Sequence, residues 1–353
     1  MGTGLNRSAV DDHPPHPATS PLLELRGVSA QFATSRGVLH ALSDVSLTLG
    51  RGETLGIVGE SGSGKSVLAR TIMDLLPKTA TVTGTVRYAG RDIGTLTKDD
   101  RRHFWGCEIA MVFQDPMTSL NPTRKIGSQI TDPIRYHLGT SAQDARTRAR
   151  ELLDMVRIPE ASRRLQQYPH ELSGGMRQRV MIAVALSCSP KLVIADEPTT
   201  ALDVTVQKQI LDLMATLQRD LGTSMILITH DLGVVAGRTD RVAVMYAGQI
   251  VELAGTEALF SSMAHPYTDA LLQSIPRIES SSAVRLQTIE GRPPSMIHPP
   301  AGCRFMPRCT RAQEECGTEQ PSLEIFEDAH AVACHFPLRV SKSVASRTEG
   351  VHP

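Results

Sequence analysis

The sequence lacks any run of 18 apolar residues, so no segment is expected to cross a membrane as a helix. Its first residues carry no apolar leader core, and Asn6 stands where a myristoylation signal needs Ser or Thr, so export and N-terminal lipidation are not expected. Net charge is also missing. The 37 Lys and Arg residues balance 37 Asp and Glu residues, which removes a chain-wide attraction to nucleic acid. The basic pairs Arg101-Arg102 and Arg163-Arg164 read as solvated faces. Aromatic residues are scarce at 4%, yet hydrophobic residues reach 41%, enough for a packed core in one large domain plus an extension. No internal repeat is apparent, and the cysteines show no paired Cys-x-x-Cys spacing of a zinc ribbon.

What the chain does contain is Gly59-Glu-Ser-Gly-Ser-Gly-Lys-Ser66, the pattern of a phosphate-binding loop. The apolar run Thr54 to Val58 predicts a buried strand feeding the loop, and Val67 to Leu76 predicts the helix leaving it. Glycines 59, 62 and 64 let successive backbone N–H groups face a polyphosphate, at the positive end of that helix. The expected cradle is Gly59, Ser61, Gly62, Ser63, Gly64, Lys65, Ser66 and Val67. Lys65 is expected to reach the β- and γ-phosphates, and the Ser66 hydroxyl to ligate Mg²⁺.

Residues 1 to about 20 are polar and proline-bearing and predict a disordered tail. Strands are expected at Leu22 to Val28, Val45 to Leu49 and Thr85 to Tyr88, forming a small antiparallel layer. The strand Ile109 to Phe113 ends at Gln114, and helical periodicity then dominates from about 115 to 185, with a helix starting at Ser141 and burying Leu152, Leu153 and Val156. Leu192 to Ala195 and Met225 to Ile228 are continuous apolar runs suited to a parallel sheet covered on both faces. They end at Asp196-Glu197 and His230, the sheet edge where ligands of open α/β folds bind. A hairpin is expected at Ala247-Gly248. Beyond about Phe260 the texture becomes rich in Pro, Ser and Cys, marking an extension over about 261–340 and a disordered tail over 341–353.

Behind a phosphate loop, Asp196 suits the Mg²⁺ shell and Glu197 suits a general base for water attack. His230 is placed to hydrogen-bond the γ-phosphate. Leu172-Ser-Gly-Gly-Met-Arg-Gln178 makes a second helix start with exposed N–H groups, hence a second anion site. One chain has no use for two γ-phosphate sites. A head-to-tail dimer, in which Ser173, Gly174 and Gly175 of one protomer cap ATP in the other's loop, uses both.

Taken together, Gly59–Ser66, Gln114, Leu172–Gln178, Leu192–Glu197, Ala201-Leu202-Asp203 and His230 resemble an ABC-type ATPase domain over about residues 22–255. The resemblance implies an α/β phosphate-loop ATPase fold with a RecA-like, mostly parallel sheet core, an antiparallel β layer and a helical subdomain. It implies that Gln114 senses Mg²⁺ and a transmembrane partner, that Asp203 couples the two sites of a dimer, and that Phe32 lies against adenine. Base stacking does not by itself select ATP over GTP. Gly-Gly-Met stands in the signature where many members have Gly-Gly-Gln.

Tyr168 to Arg179, Ala195 to Val206, His265-Pro-Tyr-Thr268 and Gly302-Cys-Arg-Phe-Met-Pro-Arg-Cys309 resemble, more narrowly, the ATP-binding subunits of oligopeptide, dipeptide and nickel importers. Four of the six cysteines lie here: Cys303, Cys309, Cys316 and Cys334. The resemblance implies a [4Fe–4S] cluster on them. Zinc and free structural thiols stay open, with His298 and His335 as alternative ligands. Cys107 and Cys188 read as core residues.

The implied function is ATP-driven dimer closure powering import through two polytopic permease subunits. The implied setting is the cytoplasmic face of the cell membrane, with a homologous second ATPase as heterodimer partner and an extracytoplasmic binding protein acting indirectly. The competing class, a soluble ABC ATPase working on nucleic acid or ribosomes, tends to carry two cassettes or long coiled-coil insertions, which this chain lacks.

Overall fold

The computed structural model describes residues 20–200, 202–274 and 289–338. Residues 1–19, Ala201, 275–288 and 339–353, which include both predicted tails, lie outside them. β1 (Leu23–Thr34) and β2 (Gly37–Leu49) form a long hairpin, and β3 (Thr54–Val58) runs into the phosphate loop. β4 (Ala80–Tyr88) returns to pair with β1, followed by the two-residue β5 (Arg91–Asp92). These strands build a four-stranded antiparallel layer in the order β2-β1-β4-β5, as the alternating, turn-bounded pattern predicts.

The second sheet collects β6 (Ile109–Val112), β7 (Leu192–Asp196), β8 (Ser224–Thr229), β9 (Arg241–Tyr246), β10 (Gln249–Gly255), β11 (Glu324–Glu327) and β12 (His330–Val332), together with β3. Its order is β11-β12-β10-β9-β3-β8-β7-β6, and the five strands from β9 to β6 are parallel. All residues of β3, β6, β7 and β8 are buried, which accounts for their unbroken apolar sequences. One apolar cluster joins a face of this sheet to the helical region, and the other joins it to the antiparallel layer.

Between β6 and β7 the chain is helical. The helix Ala142–Met155 starts at Ser141, whose hydroxyl accepts from Asp144 N, and it buries Leu152 and Leu153 against Ile126, Ile130 and Ile134 of the helix Ile126–Leu138. The helix Gly174–Ala185 then leads back to the sheet.

The C-terminal extension is not a separate lobe. β12 pairs antiparallel with β10, so the tail completes the cassette's own sheet. Glu252 on β10 fixes the junction. It is fully buried, and its carboxylate accepts from Ala264 N at 2.6 Å and His265 N at 3.1 Å, and meets His330 Nε2 at 2.7 Å. A buried carboxylate needs such partners, and here they come from both segments of the tail.

Candidate active site

The sheet topology brings the carboxyl ends of β3, β6, β7 and β8 to one edge, and each delivers a predicted residue there. After β3, Gly59 packs so tightly that a Cβ on it would sit 2.1 Å from Met245 O, so only glycine fits. Gly64 adopts φ 103° immediately before the helix Lys65–Ile72. The β9–β10 turn supports the loop from behind, with Gly248 N donating to Ser63 O at 2.8 Å. The Ser63 hydroxyl, also buried, has no hydrogen-bond partner among the described residues.

Lys65 is 4% exposed and donates to Gly59 O at 2.6 Å and Glu60 O at 2.9 Å. Burial lowers its pKa, an effect opposed by the nearby charges of Glu197, Asp196 and Glu60. Its ammonium lies 3.9 Å from Glu197 Oε1. Ser66 Oγ donates to Asp196 Oδ1 at 3.0 Å. Burial raises the Asp196 pKa, with the Ser66 hydrogen bond acting the other way.

Glu197 is the hub of the site. Its Oε2 accepts from Thr200 Oγ1 at 2.9 Å and Gln114 Nε2 at 3.3 Å, and lies 3.2 Å from His230 Nδ1. Its backbone sits at φ 45°, a conformation L-residues rarely hold, and is anchored by a hydrogen bond from its N–H to Ile228 O. Such strain costs about 1–3 kcal/mol and persists where surrounding contacts over-determine the geometry. One carboxylate, one lysine, one histidine and one glutamine from four separate elements thus converge beside the phosphate loop.

These groups open on a cavity of about 820 Å³ lined by Glu60, Ser61, Gly62, Gly64, Lys65, Ser66, Val67, Gln114, Glu197, Thr200 and His230. A nucleotide fits a volume of this order. Its apolar wall departs from expectation. The β1–β2 hairpin contributes Leu39 and Ala41 to the lining rather than Phe32, which is the cross-strand partner of Leu39. Leu271, Ser274, Ile289 and Met296 complete the wall, all from beyond residue 260, and Met296 O accepts from His40 N at 2.9 Å. Thr200 and these tail residues are site members that the sequence reading missed. Thr200 was visible in the Asp-Glu-Pro-Thr-Thr run, whereas nothing local marks Ile289 or Met296.

Ser173, Gly174 and Gly175 lie outside this lining. Ser173 caps the helix Gly174–Ala185, accepting from Met176 N, and a Cβ on Gly175 would approach Val206 to 2.9 Å. The signature therefore packs on the start of the helix Val204–Leu221, which Asp203 caps through Thr205 N and Val206 N at 3.1 and 3.0 Å. Beside it Val204 is 83% exposed.

The donor set for a divalent cation is one hydroxyl and one buried carboxylate, Ser66 and Asp196, with Gln114 at the cavity's rim. Mg²⁺ takes few protein oxygens and completes its shell with substrate phosphates and water, so this sparse set fits it. Among the described residues no group of three His, Cys, Asp or Glu forms a metal-ion cage. That bears directly on the tail. Cys303, Cys309, Cys316 and Cys334 do line one small cavity together with His335, while His298 is exposed and outside it. Burial holds the thiols of Cys303, Cys309 and Cys334 up, the last at about 11. Cys107 and Cys188 are buried in the cassette.

A family profile described as ABC transporter matches residues 42–200, and one described as oligopeptide/dipeptide transporter, C-terminal region, matches 251–316. The oligopeptide transport ATP-binding protein OppD of Salmonella typhimurium is 48% identical over 324 residues, covering 92% of this chain and 96% of that protein. The chain belongs to the ABC transporter ATP-binding proteins of the oligopeptide/dipeptide branch. A putative peptide import ATP-binding protein of Brucella abortus is 51% identical, over 87% of this chain and 92% of its own length. Among solved structures, a dimer of the ATP-binding cassette MJ0796 bound to ADP and Pi superposes with a TM-score of 0.59 at 30% identity, over 66% of this chain and 98% of that one. The cbiO1 protein of Clostridium perfringens, part of the ABC transporter complex cbiONQ, gives 0.58 at 27% identity, over 69% and 92%. The α/β ABC cassette is therefore the fold, and an ATPase coupled to transport is its activity.

Proposed function

We propose that this chain is the ATP-hydrolysing subunit that drives peptide import through an ABC transporter. The observation that carries the reading is the convergence of Lys65, Gln114, Glu197 and His230 beside the phosphate loop, in a chain whose relatives bear peptide-import names. The loop amides and Lys65 bind the polyphosphate. Glu197 holds the attacking water and takes its proton, a role worth about 10²–10⁴-fold in rate. His230 and Gln114 orient Glu197 through its Oε2. Ser66 and Asp196, with Gln114, would hold Mg²⁺, which would supply charge neutralisation at the phosphates.

Ser173, Gly174 and Gly175 act on the nucleotide of a second ATPase, a homologous and distinct chain, and Asp203 links the two sites. The exposed Val204 beside the signature supports that this face meets a partner. Closure of the pair moves the surface near Gln114 against two polytopic permease subunits, which places the protein at the cytoplasmic face of the membrane, fed indirectly by an extracytoplasmic binding protein. Phe32 belongs to the base-binding hairpin through Leu39. The test is recovery of the tagged chain from detergent-solubilised membranes. Two polytopic proteins should accompany it, and sedimentation with ribosomes or DNA instead would overturn the reading.

For the tail, the reading that keeps most support is the [4Fe–4S] cluster. Cys303, Cys309, Cys316 and Cys334 line one cavity, and four cysteines are the number such a cluster takes, which is what supports the reading. Protein purified without oxygen should be brown and contain iron. Colourless, iron-free protein would leave these residues as structural thiols.

A further inference from the structure

Glu60 of the phosphate loop is held at every polar atom, and two of its holders come from the tail. Its N–H donates to Tyr267 Oη at 2.9 Å, and its carbonyl accepts from Lys65 Nζ at 2.9 Å. Its carboxylate meets Arg308 in a two-pronged pair, Oε2 to one guanidinium nitrogen at 2.6 Å and Oε1 to the other at 3.0 Å. The Arg308 side chain is 3% exposed and lies over the Tyr246 ring, 5.8 Å from its centroid. It also donates to Glu290 O at 2.9 Å and Ile289 O at 3.2 Å. Ile289 lines the nucleotide cavity, so one guanidinium ties the phosphate loop to the cavity's apolar wall.

We propose that Arg308 is a positioning residue for ATP: through Glu60 it fixes the phosphate loop, and through Ile289 the base-side wall, so that the tail sets nucleotide affinity. A loop ordered before binding loses less conformational entropy when ATP arrives. The pair is worth more than a surface ion pair because it is forked, desolvated and backed by a ring face. Loss of Arg308 frees the loop and the wall together, which weakens ATP binding. It leaves the chemistry to Glu197, which Arg308 does not touch.

The inference rests on the loop binding ATP, and Lys65→Ala tests that separately: if its nucleotide binding equals that of the wild type, the ATP reading itself fails. Arg308→Gln should raise the KM for ATP and the Kd for a fluorescent ATP analogue about tenfold, with kcat within about twofold. Arg308→Lys keeps the charge without the fork and should fall between. Glu60→Gln should also raise the Kd for the ATP analogue, and the double variant should bind it no worse than the weaker single one. A merely structural tail would lower the melting temperature without this split between KM and kcat. If Arg308→Gln does not fold, the more exposed Glu60→Gln carries the test. Unchanged affinity in Glu60→Gln, or additive losses in the double variant, would overturn the proposal.

Discussion

His330 Nε2 lies 2.7 Å from Glu252 Oε1, an oxygen with no solvent contact that also receives the N–H of Ala264. The two residues are 78 positions apart, one in the cassette and one in the tail. Replacing Glu252 by Ala strands two amide donors and an imidazole in the interior. A loss of about 3–5 kcal/mol is expected, the order of cost of leaving several buried polar groups without their hydrogen-bond partner. Urea unfolding should show it as an earlier midpoint. A change below about 1 kcal/mol would mean that the tail does not lock the cassette.

His265 gives the fold a defined response to acid. It is buried, and burial pulls its pKa from 6.5 down to about 4, against a smaller opposing pull from Glu252. Its Nδ1 accepts from Tyr267 N at 3.0 Å, which requires the neutral ring. The folded state therefore refuses a proton that the unfolded chain accepts below about 6.5. Stability is unaffected above that value and falls as pH drops from 6.5 towards 4, by up to about 3 kcal/mol. His265→Asn retains a capping oxygen, so comparing its urea midpoints with the wild type from pH 7.5 to 5 separates His265 from Glu252, whose charge acts on it, and from His330, which pairs with Glu252. Equal slopes would refute the assignment.

Glu197→Gln keeps the shape of the hub while removing the carboxylate proposed as the base. Turnover should drop about 10²–10⁴-fold with ATP retained on the protein. Phosphate release and the nucleotide recovered after rapid gel filtration report the two quantities. Near-normal turnover would remove Glu197 from the base role.

Ser173→Arg addresses the division of labour between chains. In complex with the second ATPase, this variant should suppress photolabelling of the second chain's phosphate loop by an ATP analogue and spare labelling at Lys65's own loop. The reverse pattern would place the signature over its own nucleotide.

The parts of the site that were legible in the sequence are those set by local pattern. Gly59 to Ser66, the strand-terminal Asp196, Glu197 and His230, and the helix starting at Ser141 all follow from spacing, apolar period and capping chemistry. The rest depends on pairing between distant segments. Phe32 and Leu39 are directly paired across the hairpin, and which of them reaches the cavity depends on Met296, a distant residue bonded to His40, so no count along the chain decides it. Arg308 reads as one more basic residue in a cysteine-bearing tail until the sheet brings it to Glu60, 248 positions away. Thr200 was in view but carried no distinguishing spacing.

The addition of β12 to β10 has a practical corollary for anyone trimming the protein to its nucleotide-binding core. A chain cut near residue 260 would present β10 as an unprotected rim with free amides and an orphaned Glu252, open to pairing with another molecule. The shortest version that stays monodisperse should therefore run at least through Val332.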